Sequence, residues 1–272
     1  MAETAVTATT LAGTTTAPRF RIGYVLSQAF SILFRNIVPF GLLTILILLP
    51  QLILGLATGT IDPSADPAAS FSFGFLDLIG LLLQFLLPYL LTAALVYGTV
   101  QHLRGHRVSV GDCLGRGLSL LLPVIGVVIL TTIATVLGFF LLVIPGVIVM
   151  MMLWVAIPVA VIERPGVIAS LKRSRELTSG HRWKIFAVVL ILGIMGFVVT
   201  SLVMIPFGIS VFSGAFDPSH DLQETLTTTM VINFVISAVF YAAYAVANAV
   251  GYYALRSSKE GVDIEKIAAV FD

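Results

Sequence analysis

Apolar residues run along this chain in six blocks, near Ile37–Ala57, Phe75–Val100, Leu118–Val143, Val147–Ile162, Trp183–Ile209 and Thr228–Ala254. Most reach the roughly 20 residues that an α-helix needs to cross the hydrocarbon core of a bilayer, so the pattern predicts six transmembrane helices. The fourth block is short. Pro145-Gly146 separates it from the third, which predicts a tight helical hairpin hinged at that dipeptide. Pro50, Pro88, Pro123, Pro158 and Pro206 fall inside the blocks or near their ends. Membrane bundles tolerate them, because neighbouring helices satisfy the backbone groups that proline frees.

Ahead of the first, third and fifth blocks the pattern is amphipathic. In residues 22–34, Ile22, Val25, Leu26, Ala29, Phe30 and Leu33 share one helical face, opposite Tyr24, Ser27, Gln28, Ser31 and Arg35. That is the pattern of a helix lying in the membrane interface. Residues 110–122 repeat it: Gly23 matches Gly111, Leu26 matches Leu114, Ser31 matches Ser119 and Leu33 matches Leu121. Residues 167–179 are a weaker copy that keeps Leu171 and has Ser174 where the others have Ala29 and Gly117. Ser109 and Asp112 resemble a capping box at the start of the second segment. The third starts after Pro165 and ends at Gly180, residues favoured at those places. Its apolar face is expected to be Val167, Ile168 and Leu171, with Lys172, Arg173 and Glu176 pointing away. Each such elbow precedes two spans. The expected fold is all-α: a polytopic membrane protein of six transmembrane helices in three parallel repeats, each an amphipathic cytoplasmic elbow helix plus a transmembrane pair. Residues 1–18 are expected to form a disordered tail, 19–257 the membrane domain, and 258–272 a cytoplasmic tail with a short amphipathic helix.

Composition agrees. The chain is 58% apolar and 11% charged, whereas soluble domains carry about 25% charged residues. All fifteen lysines and arginines lie before span one, between spans two and three, between spans four and five, or after span six. The other connections carry Asp62, Asp66, Asp77, Asp217, Asp221 and Glu224 instead. The positive-inside rule then places both termini in the cytoplasm. The first eighteen residues lack the basic start and apolar core of a signal peptide. A single cysteine, Cys113, excludes an internal disulfide.

Five of the basic residues crowd residues 170–186: Lys172, Arg173, Arg175, Arg182 and Lys184. Burying three apolar side chains contributes about 1.5–3 kcal/mol each, and each cation near an anionic leaflet about 1 kcal/mol, so this segment should adhere to lipid headgroups. A nucleic-acid surface would interleave base-reading side chains; only Trp183 is near, where a tryptophan suits a membrane interface. His102 and His106 have helical metal-ligand spacing, but two ligands without a carboxylate or thiolate make a weak site, and Gly105 threatens the helix between them. The span interiors hold no Lys, Arg, His or Glu, which argues against an ion-coupled pump. Span six carries a polar stripe, Asn233, Ser237, Tyr241, Tyr244 and Asn248, which Gln51 and Gln84 could meet from other spans. Its ordinary reading is interhelical hydrogen bonding; the functional one is a polar cavity for a headgroup or small solute. Ala243, Ala247 and Gly251 form a ridge for close packing. The methionines 150–152 and Trp154 read as packing or lipid-facing residues. No G-x-S-x-G, HExxH or phosphate-cradling glycine loop occurs.

The stretches PGVIASLKRSRELTSGHRWKIF and YYALRSSKEGVDIEKIAAVFD resemble the glycerophosphoryl diester phosphodiesterase membrane-domain family of bacterial inner-membrane proteins. Its elbow pattern, A-L-x-R-S-x-x-L-T-x-G-x-R-W, is met by Ala169 through Trp183 with Ser170 intervening. The resemblance implies a multi-pass protein of the bacterial inner membrane. Some members carry a fused catalytic domain with acidic metal ligands and histidines. This chain is expected to lack it, so no catalytic residue carries over, and no cofactor or metal is expected. The expected function is non-catalytic: organising membrane lipid or a partner protein through the elbows. The expected partners are anionic phospholipid, with a membrane-protein partner or a second copy of the chain beside it. The alternative is a transporter or flippase for a lipid-related or small neutral solute, using the stripe on span six. A polar cavity open to one side favours transport, and a bundle packed to its centre favours a scaffold.

Overall fold

In hydrocarbon each backbone N–H and C=O must be satisfied within its own segment, so long runs of Leu, Ile, Val and Phe become helices. The computed structural model describes residues 20–58, 74–212 and 222–260, with side chains for all of these except 58, 206–212 and 222–226. These residues form α1 (Ile22–Arg35), α2 (Ile37–Thr58), α3 (Phe75–Leu103), α4 (Val110–Ser119), α5 (Leu121–Leu141), α6 (Val143–Met152), α7 (Ala156–Ile162), α8 (Val167–Thr178), α9 (Arg182–Phe212) and α10 (Leu222–Glu260), with no strand among them. Six segments are long and apolar enough to cross a membrane, α6 and α7 counting together as the fourth. The expected N-terminal tail, Arg19, Asp62, Asp66, Asp217, Asp221 and the C-terminal stretch 261–272 lie outside the described residues, as do the side chains of Pro206 and Glu224.

A short helix followed by two spans occurs three times. The second span of each pair lies inside: α3, α7 and α10 touch one another. The first spans, α2, α5 and α9, lie outside, with Leu42, Ile45, Ile129, Ile133, Ile194 and Phe197 exposed. In a bilayer that surface faces lipid. The elbows interlock the repeats. α4 packs on α2 and α3, α8 on α5 and α7, and α1 on α9 and α10. Each elbow thus grips the hairpin of the preceding repeat, and the first closes the ring on the last.

The same three repeat positions make these contacts. Val25, Cys113 and Ser170 hold the fourth position, Ala29, Gly117 and Ser174 the eighth, and Ile32, Leu120 and Leu177 the eleventh; all are buried. A spacing of four and then three puts them on one helical face. This corrects the expectation that the apolar faces of the elbows lie in the membrane interface, because their inner faces seat on protein. The face of α8 is also not the one expected. Ser170, Ser174, Leu177 and Thr178 are buried, Val167 and Leu171 pack only partly, against Val127 and Ala160, and Ile168 is exposed. Where helices approach closely, small and hydrogen-bonding residues are favoured over merely apolar ones.

The local signals fared better. Ser109 Oγ accepts the Asp112 backbone N–H at 3.4 Å, and Gly180, with φ +82°, follows the end of α8. α8 starts after Pro165 as expected, with Gly166 standing between the proline and the first turn. The hairpin of α5 and α6 turns at Leu142, in extended conformation with φ −169° and ψ 157°, not at Pro145-Gly146. Pro145 falls in the first turn of α6, where a missing N–H costs nothing. Gly146 is where the two helices touch: a Cβ there would lie 2.5 Å from the Phe139 ring.

A candidate site at the broken fourth span

The fourth span is broken rather than short, and Pro158 is half the reason. Trp154 stands four residues earlier, and its carbonyl would accept the N–H that proline lacks. The Ala156 N–H meanwhile bonds Leu153 O at 3.0 Å. The carbonyls of Met152 and Trp154 are therefore left to other elements. Ser174 Oγ donates to Met152 O at 2.8 Å and Thr178 Oγ1 at 3.2 Å. Asn248 Nδ2 donates to Trp154 O at 2.7 Å. An elbow helix and the last span together close the break.

Beside it lies a cavity of about 300 Å³ between α3, α5, the break and α10. Val128, Val136, Met150, Leu153 and Ile157 make it mostly apolar, and among the described residues no charged side chain lines it. Its polar groups come from Tyr89 and Thr92 of α3, from Thr131, Thr132 and Thr135 of α5, and from Trp154, Tyr244 and Asn248. The Thr92 hydroxyl is occupied by Pro88 O at 2.8 Å. Thr131 Oγ1 and Asn248 Oδ1 are buried and have no hydrogen-bond partner. Trp154 Nε1 interacts with the side chain of Tyr244 but makes no well-formed hydrogen bond. An apolar cleft with a few convergent polar atoms is the usual form of a small-molecule site, and a buried polar atom left unpaired costs about 1–3 kcal/mol.

The stripe on span six divides. Asn248 makes the interhelical bond that the ordinary reading expects. Asn233 does not, because its Nδ2 donates to Thr229 O of its own helix at 3.1 Å. Ser237 and Tyr241 line a second space of about 460 Å³, a groove between α9 and α10 floored by Gly193 and Gly196. Tyr244 lines both spaces and so stands between them. Gln84 is exposed and Gln51 half-buried. Trp154, at 5% exposure, is no lipid-facing residue. Its ring lies on Gly251, where a Cβ would come within 2.4 Å, so the small-residue ridge serves this contact. Thr131, Thr132 and Thr135 were not singled out in the sequence. Their signal was a polar face, i, i+1 and i+4, in an otherwise apolar span.

The basic run divides too. Arg173 is engaged within the protein: its Nε lies 3.1 Å from Glu163, its Nη2 pairs with Glu260, and its Nη1 stands 4.0 Å from Glu176. Arg256 Nε completes a ring with Glu260 at 3.0 Å, and the Tyr252 hydroxyl donates to Glu163 at 2.6 Å. Arg173 is thus not the free headgroup cation that the sequence suggested. Lys184 Nζ reaches Phe20 O at 3.5 Å. Lys172 and Arg175 are exposed. Arg182 stands beside Trp183 with its Nε unpartnered. His102 and His106 are separated by Gly105, at φ +78°, and take different partners: Asn36 at 2.9 Å and Gln101 at 3.0 Å.

The model of a family described as Domain of unknown function (DUF7847) matches residues 20–255. That is most of the chain, which therefore belongs to this family. No curated protein and no solved structure matches it.

Proposed function

We propose that this member of the DUF7847 family is a non-catalytic transporter or flippase for an uncharged amphiphile. The head group enters the cavity at the broken span, and the tail lies in the groove between α9 and α10. The observation that carries this reading is the unpaired Asn248 Oδ1, on a residue 2% exposed. A ligand hydroxyl would donate to it, and a primary amide would donate to it and to Thr131 Oγ1. An ionised head would find no counter-charge there and would pay the cost of desolvation. Discontinuous helices with freed carbonyls beside a cavity are the form that membrane binding sites take. The cavity's described lining holds no histidine, lysine, carboxylate or thiol, which supports a binding role over hydrolysis. The elbows, seated on protein, are less suited to gather lipid by themselves. The positive-inside rule places the elbow end in the cytoplasm, and the resemblance of α8 to the phosphodiesterase membrane-domain family supports a bacterial inner membrane.

Asn248→Leu and Tyr244→Phe test the reading, with thermal stability and co-purified lipid measured on each. Asn248→Leu strands the Trp154 carbonyl, at a cost of about 1–3 kcal/mol, and removes the buried unpaired Asn248 oxygen, which returns about as much. Stability should change by less than about 1 kcal/mol while a retained neutral lipid disappears. If stability falls and the lipid stays, the stripe is packing and the transporter reading fails.

A further inference from the structure

The basic run carries a chemistry that the central cavity does not use. Where α6 meets the first turn of α9 there is a groove of about 160 Å³. Val147, Ile148 and Met151 form one wall, Trp183 and Phe186 the other, and Arg182 lies against it. Arg182 Nε is buried without a hydrogen-bond partner. Glu163, Glu176 and Glu260 all face Arg173 instead. Among the described residues, Lys172, Arg175, Arg182 and Lys184 have no acidic partner.

A guanidinium set against apolar walls with no counter-ion is poorly solvated. A phosphodiester answers it, because two phosphate oxygens match the guanidinium fork. Trp183, 82% exposed, stands beside it as an aromatic suited to the headgroup level. The surplus of positive charge over residues 172–184 selects among lipids: a zwitterionic headgroup brings its own cation into this field, and an anionic one does not. We propose that this groove binds an anionic phospholipid, with the phosphate on Arg182 and an acyl chain along Val147, Ile148 and Met151. The site shares no residue with the central cavity, so either can exist without the other.

The full chain in detergent can be titrated with phosphatidylglycerol, phosphatidylcholine or inorganic phosphate, with bound lipid counted by native mass spectrometry and protection read by thermal unfolding. Phosphatidylglycerol should bind and protect where phosphatidylcholine does not. Arg182→Gln should weaken it at least about tenfold, the size of one charge-assisted hydrogen bond. Ile148→Trp fills the groove without touching any charge and should produce the same loss, which keeps the test decisive if Arg182→Gln does not fold. Lys172→Gln with Arg175→Gln should matter only at low salt, since these exposed cations act through a screened field. Asn248→Leu should leave phosphatidylglycerol binding unchanged. The proposal is overturned if Arg182→Gln or Ile148→Trp binds phosphatidylglycerol as the parent does, or if phosphatidylcholine binds equally. Equal protection by phosphate alone also overturns it, because the site is then for an anion and not for a lipid.

Discussion

Cys113 sits on the inner face of α4 at 1% exposure, and burial, with the adjacent charge of Asp112, pushes its thiol up to about 11. The thiolate is the reacting form. A maleimide at pH 8 should therefore leave Cys113 unlabelled in the native protein and modify it fully after unfolding. Rapid native labelling would mean that the second elbow lifts off its hairpin. At this scale the sequence told residue types but not partners. Nothing in the run from Lys172 to Lys184 separates Arg173 from its neighbours, because Glu163 and Glu260 stand 10 and 87 residues away in the chain. The Asn248 side chain was legible as a polar group at membrane depth. That its nitrogen closes a break while its oxygen stays free depends on Trp154, 94 residues distant.

Among the elements, the corner where α7, α8 and α10 meet is held by the ring of Glu163, Arg173, Glu260 and Arg256. Glu163 is its pivot, since it faces Arg173, Tyr252 and Arg256 together. Glu163→Ala strands these donors and should lower stability by about 1.5–3 kcal/mol, the worth of hydrogen bonds to charged groups. Glu163→Gln, which keeps an acceptor oxygen, should fall between that variant and the parent. Thermal unfolding in one detergent gives the order, and an alanine variant as stable as the parent would reduce the ring to a surface ornament. Helix lengths were readable here because hydrocarbon leaves the backbone no choice. The break was not, because proline acts on the carbonyl four residues earlier and the donors that relieve it come from other helices. The inner face of α8 was misread for a related reason. Its buried face is set by Ser174 and Thr178, which bond the freed Met152 carbonyl, and not by apolarity.

For the molecule as a whole, the ring of elbows fixes topology. Lys184 reaches Phe20 O, Asn36 meets His102, and Arg173 pairs with Glu260. These contacts gather all the elbows at one end, with Phe75 at the start of α3 near the other. In sealed, oriented vesicles, Arg107→Cys and Lys172→Cys should label from the same side and Phe75→Cys from the opposite one. Labelling of Phe75→Cys together with Lys172→Cys would refute the arrangement. The three repeats were visible in sequence as matching elbows. Their cyclic grip was not, since it depends on α1 finding the last hairpin rather than its own.

The broken span also sets a timetable. The ribosome makes the gap before it makes what fills it: Ser174 and Thr178 follow Met152 by 22 and 26 residues, and Asn248 follows Trp154 by 94. At about 5–20 residues per second, Trp154 waits roughly 5–20 s for its donor. Until then the half-made span carries a bare carbonyl that lipid cannot satisfy, so it has to linger beside water or the insertion machinery. A message cut short before Asn248 would yield not a smaller protein but an unfinished one, with its fourth span still exposed to quality-control proteases.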